Sequence, residues 1–129
     1  LVIINTSADL LSDEDRKTLD DLNVAVFNHD ATKLALEIGK TELSTNMAMI
    51  GACAGITNIV SLKALDGAIQ DRFGKRYVAS GGTATLDEAI KKKYAKKEML
   101  LKANMDTIIK GHELASEWTK TQNLQLVEV

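Results

Sequence analysis

The chain opens on an unbroken apolar run, "LVIIN" (1–5), that ends in asparagine. A continuous rather than alternating run predicts a strand covered on both faces, as in a parallel sheet. "TSADLLSDEDRKTLDDL" then changes the pattern. Ser12 with Asp15 three residues on forms a capping box, and Asp13, Glu14 and Asp15 suit the positive end of a helix, expected to reach about Leu22. Apolar character returns at "NVAVFN" (23–28), a second strand. Asp30 is the expected N-cap of "ATKLALEIG", where Leu34, Ala35 and Ile38 share a face and Gly39 takes the C′ position. Strand, helix, strand, helix over the first 40 residues predicts a layered α/β sheet.

"STNMAMIGACAGITNIVSLKAL" (44–65) has helical spacing and is apolar on every side up to Ile56. Ser44, Thr45 or Asn46 can cap it. Ala48, Gly51, Ala52, Ala54 and Gly55 are small, whereas Met47, Met49, Ile50 and Ile56 are large. Glycine costs about 1 kcal/mol inside a helix, so Gly51 and Gly55 point to backbones in close approach. A helix apolar all round is expected to be buried all round, between the sheet and another subunit or domain.

Ser61 caps the next helix, with Leu62, Leu65, Ile69 and Phe73 on one stripe and Gly74 at its end. "KRYVASGGTA" is a polar glycine-containing loop, and 76–85 is assigned as a flexible connection. Thr85 with Glu88 forms a second capping box. The helix it opens is expected to reach about Trp118, with Leu86, Ile90, Tyr94, Leu101, Met105, Ile108 and Ala115 on roughly one face and Gly111 as a weak point. Residues 119–129 read as a tail whose "NLQLVEV" is either an edge strand or disordered. The whole 1–129 stretch is one domain's worth of chain.

Composition narrows the partners more than the chemistry. Sixteen basic against 18 acidic residues leave a net charge of −2, which gives no bulk reason to expect nucleic acid or an anionic membrane. No apolar run is long enough to cross a bilayer. One cysteine, Cys53, excludes an internal disulfide and any cluster of cysteine ligands within the chain, and a single reduced thiol suits the cytoplasm. A buried-type strand at residue 1 needs neighbours on both sides, so the chain reads as part of a longer one.

Candidate chemistry is sparse. None of the common nucleotide-binding, nucleophile-elbow or zinc-protease motifs is present. Asn5, Thr6, His29 and Asp30 fall at the C-terminal ends of the two strands, where α/β proteins place ligands; His29 is either a site residue or a loop residue beside a helix cap. Asn46 is a further binding candidate at its helix start. His112 reads as solvated, Cys53 as a buried inert thiol, and "SGG" (80–82) as either a phosphate loop or a hinge. "KKKYAKK" (91–97) sets five lysines around Tyr94, as a docking patch for an acidic partner or a solvated face.

"TNMAMIGACAGITNIVSLKALDGAIQDRFGKR" resembles the C-terminal half of the gamma subunit of 2-oxoacid:ferredoxin oxidoreductases, the pyruvate synthase family. Residues 46–51, 56–60, 62–65 and 69–75 carry the likeness, with Asn58 where that family usually has glycine. "VIINT", "VFNHDATKLALEIG" and "ANMDTIIKGHELA" (103–115) extend it over most of residues 2–116, while 76–97 looks like an insertion. The family's glycine-rich "GRGGQG"-like segment is absent from this stretch. The resemblance implies a Rossmann-like three-layer α/β/α domain, truncated on its N-terminal side, with a helical C-terminal half. It implies a cytoplasmic complex that oxidatively decarboxylates a 2-oxoacid such as pyruvate with coenzyme A. Alpha, beta and delta-type subunits would be partners and ferredoxin the electron acceptor. Thiamine diphosphate and iron–sulfur clusters would sit in partner subunits, with no cofactor and no catalytic residue on this chain. The alternatives are a stand-alone α/β enzyme with a pocket at the strand ends, and a purely structural assembly module.

Overall fold

The computed structural model describes residues 1–74 and 84–122. The expected loop from 76 to 83, the "SGG" stretch and the tail from 123 onward lie outside the described residues, as do the side chains of Thr85, Leu86 and Ile90.

Two three-residue strands, β1 (Val2–Ile4) and β2 (Val26–Asn28), pair in parallel, Val2 opposite Val26 and Ile4 opposite Asn28. The connection is α1 (Asp13–Asp21), and its predicted capping box is complete: the Asp15 amide donates to Ser12 Oγ at 3.1 Å and the Ser12 amide to Asp15 Oδ2 at 3.2 Å. α1 buries no residue and lies on the surface, tied down by an ion pair between Arg16 and Asp9. Asn23, at φ 55°, turns the chain back toward β2 in the left-handed region that asparagine tolerates.

α2 (Ala31–Leu34) widens into a π turn over Ala35–Gly39, and a short 3-10 turn (Glu42–Ser44) leads into α3 (Thr45–Thr57). The left-handed residue after α2 is Lys40, at φ 61°, not the expected Gly39. Gly39 is needed for a different reason: a Cβ there would lie 2.7 Å from the Cβ of Ser44 and 3.0 Å from Thr107 Oγ1. Ser44 precedes α3 without capping it through its side chain; the hydroxyl instead donates to Asn104 Oδ1 at 2.8 Å. Asn58 ends α3 at φ 53°. A left-handed closing residue explains why a family that resembles this chain uses glycine there, asparagine being the next best tolerated type.

α4 (Leu62–Ile69), capped by Ser61, continues through a π turn to Gly74. α5 runs from Ala84 to Thr121. Three apolar clusters form the core: Phe27, Ala52, Ile56 and Ala115 with Ile3 and Trp118 against them; Ala31, Leu34 and Ala48; and Ile69, Leu101 and Ile108 with Met47 and Met105. α3 contributes to each, which makes it the central helix. It is not buried all round as expected, since Ile50 is 41% exposed and Met47, Met49 and Cys53 are half-buried.

The class is α/β, with a small parallel sheet on a mostly helical body. Among the described residues the sheet has two strands, and the three-layer stack that the family resemblance implies is not seen, because nearly all apolar positions after residue 40 have helical spacing. Among the described residues no helix is long and apolar enough to cross a membrane.

Candidate functional site

The strand ends bring Asn5, Thr6, His29 and Asp30 together, as the sequence predicts. What their polar atoms do there is structural. Asn5 Oδ1 accepts from the amides of Ala31 (3.0 Å) and Thr32 (3.3 Å), and its Nδ2 donates to Thr32 Oγ1 at 2.9 Å. Asp30 Oδ1 accepts from the Lys33 amide at 3.0 Å, and the Asp30 carbonyl from the Leu34 amide at 3.1 Å. A helix N-terminus attracts anions through unpaired amides. Here all four first-turn amides of α2 already have partners within the chain. Thr6 Oγ1 closes a local turn with Ala8, accepting from its amide and donating to its carbonyl.

His29 is 5% exposed and stacks on Phe27, with ring centroids 5.4 Å apart and planes 15° from parallel. Its amide donates to the Ile4 carbonyl at 2.9 Å, continuing the β1–β2 ladder, while its Nε2 is buried without a hydrogen-bond partner. Burial pulls its pKa below the usual histidine value; the backbone of Ala48 and the Asp30 carboxylate oppose this and are outweighed. The imidazole, sealed between β2 and α3, is not among the described residues that line the groove beside Asn46.

Asn46 lies elsewhere. It is exposed at the start of α3, beside a groove of about 630 Å³ between that helix start, the end of α4 and α5. Leu43, Met47, Phe73 and Leu100 line the groove's apolar part, and Lys93, Lys96 and Lys97 of the lysine run reach it. The 44–65 segment and the lysine run, distant in sequence, thus meet at one surface.

Behind the groove, α3 and α5 cross at backbone contact. A Cβ on Gly51 would overlap the carbonyl of Ile108, one on Gly55 the carbonyl of His112, and one on Gly111 the carbonyl of Ala48. The contact is reciprocal: small residues of each helix receive the other's backbone. His112 is consequently half-buried rather than solvated, with Ser116 Oγ donating to the Gly55 carbonyl at 3.2 Å beside it. Sequence reasoning found Gly51 and Gly55 but read Gly111 only as a weakness. The signal was available, since Ile108, Gly111, His112 and Ala115 recur at the spacing of one helix face.

The donor set does not fit the cofactors that the family resemblance implies. Among the described residues no three His, Cys, Asp or Glu side chains gather where they could hold a metal ion, and an iron–sulfur cluster needs several thiolates against the single Cys53. The amides at the start of α2, where a helix N-terminus could receive a diphosphate, are taken.

Comparison with known proteins places the chain in a family. Residues 1–84, about two thirds of the chain, match the family described as pyruvate ferredoxin/flavodoxin oxidoreductase. A stretch of 72 residues is 39% identical to "Pyruvate synthase subunit PorC" of Methanocaldococcus jannaschii, covering 56% of this chain and 35% of that subunit. The chain's match thus spans about a third of that relative's length. No solved structure matches. The match takes in both strands and α1 to α4, and with about two thirds of its length matched the chain belongs to the pyruvate ferredoxin/flavodoxin oxidoreductase family.

Proposed function

We propose that this chain is the C-terminal part of a gamma-type subunit or domain of a 2-oxoacid:ferredoxin oxidoreductase complex, and that its own task is assembly rather than bond-making. The observation that carries the reading is the coincidence of the family match with the helix that joins all three core clusters. The complex would oxidatively decarboxylate a 2-oxoacid such as pyruvate with coenzyme A in the cytoplasm. Thiamine diphosphate and iron–sulfur clusters would be held by alpha, beta or delta-type partner subunits, with ferredoxin as electron acceptor. The two-stranded sheet would be completed by further strands into a three-layer Rossmann-like domain, with β1 gaining a neighbour on its free edge. Asn5, His29, Asp30 and Asn46 would act in shaping that domain. The use of Asn5 and Asp30 as caps supports this over a stand-alone enzyme with a strand-end pocket.

The test is affinity purification of the complete protein from its source. Companion chains with iron–sulfur absorption are expected, together with coenzyme A-dependent reduction of a viologen dye by a 2-oxoacid. Removing a general base lowers turnover by about 10²–10⁴-fold. His29→Ala in the assembled enzyme should instead stay within about tenfold of wild type. A monomer that turns over a small substrate alone would overturn the proposal.

A further inference from the structure

The groove between the start of α3, the end of α4 and α5 combines two properties that no core role requires. Its apolar residues are open to solvent: Leu43 is 87% exposed, Leu100 50% and Phe73 41%. Among the described residues that line it, the charged ones are Lys93, Lys96 and Lys97. This is a local reversal on a chain whose net charge is −2. Exposed apolar surface on a soluble protein marks contact with another surface, and here that surface must also answer positive charge.

Most of the described side chains of the α5 segment beside the groove are exposed. Tyr94 and Met99 are 47% and 72% exposed, and Lys92–Lys96 is a like-charge pair one helical turn apart. Such a pair destabilises a helix by a few tenths of a kcal/mol, a repulsion that acidic side chains across the groove would relieve.

We propose that this groove is the docking site for an acidic amphipathic helix of another polypeptide, its apolar face on Leu43, Met47, Phe73 and Leu100 and its carboxylates on Lys93 and Lys96. The mode is a helix laid in a groove, read by apolar anchors at helical spacing with charges along the rim. The inference rests on the groove's shape and charge, not on the reaction of the family, and holds or fails separately from the reading above.

The experiment uses the complete protein and a fluorescent peptide of about four helical turns, with Leu and Phe on one face and Glu on the other. Two controls are the same peptide with Lys for every Glu, and vesicles of anionic phosphatidylglycerol. Saturable binding of the acidic peptide is expected, weakening as salt rises, with no binding of the basic one. The rim variant Lys93→Glu/Lys96→Glu and the floor variant Leu43→Ser should each weaken it by about tenfold or more. All three positions are exposed, so circular dichroism of the variants should match wild type. Equal binding of acidic and basic peptides, unchanged binding by both variants, or preference for the vesicles would each overturn the proposal. Failure of the acidic peptide to bind, as when another segment of the same chain fills the groove, would overturn it too.

Discussion

Gly51 of α3 lies against the carbonyl of Ile108 of α5, so closely that no side chain fits between the two backbones. Replacing glycine by alanine inside a helix normally gains about 1 kcal/mol. At Gly51 the added methyl must displace backbone rather than a flexible side-chain end, and overpacking of that kind costs about 1–3 kcal/mol or more. Gly51→Ala and Gly111→Ala are therefore expected to lower stability, and Gly51→Leu or Gly55→Leu to prevent native packing. Gly67 is the internal control. Its Cβ direction is open, with nothing within 4 Å, so Gly67→Ala should raise stability by up to about 1 kcal/mol. Denaturant titration of the set checks the contrast; equal responses at Gly51 and Gly67 would refute the backbone contact.

Asn5 and Asp30 together cap α2 from different parts of the chain. Asp30→Ala removes a local cap and should cost about 1 kcal/mol. Asn5→Ala removes two amide partners and the bond to Thr32, and it also unties β1 from α2. It should cost at least as much, with faster amide exchange at Ala31 and Thr32. If the proposed complex is its setting, turnover there should fall only in proportion to the loss of folded protein.

His29 makes stability depend on pH. Its folded pKa is depressed below 6.5, so the unfolded chain binds the proton first as pH falls. The stabilisation of the neutral ring is complete above about pH 6.5 and is lost as pH drops below it toward the folded pKa. His29→Leu should flatten that acid slope while changing stability near pH 7.5 modestly, because Nε2 has no partner to lose. An unchanged slope in the variant would show that other groups set the acid limb.

Asn58 should accept glycine without loss and resist alanine. At φ 53° a Cβ-bearing residue without asparagine's local bonding pays for the left-handed conformation by about 1 kcal/mol. Thermal melts of Asn58→Gly and Asn58→Ala should separate in that order.

The elements whose causes are local could be read from the sequence. The Ser12–Asp15 box and the caps at Asp30 and Ser61 form as written, because donor and acceptor lie three residues apart. Gly39 was the right residue with the wrong reason: its constraint comes from Ser44 and from Thr107, which is 68 positions away. Asn5 drew notice as a ligand residue because strand ends bind ligands, and its actual partners, Ala31 and Thr32, follow from strand pairing that a linear reading does not contain. The groove was visible only as two unrelated oddities, a run of lysines and a helix too apolar for its surroundings.

α5 carries two stabilities in one helix. Over its 38 residues it is about 57 Å long, yet among its described side chains the buried ones begin at Leu101. From Glu88 to Leu100 every described side chain except that of Lys97 is exposed, and a helical stretch of that length with little burial is marginal in water. The distal half should therefore open in a separate, lower-energy step, exchanging its amides long before the half clamped by α3. A ligand that settles on it would act less by changing a shape than by lengthening the folded part of the molecule.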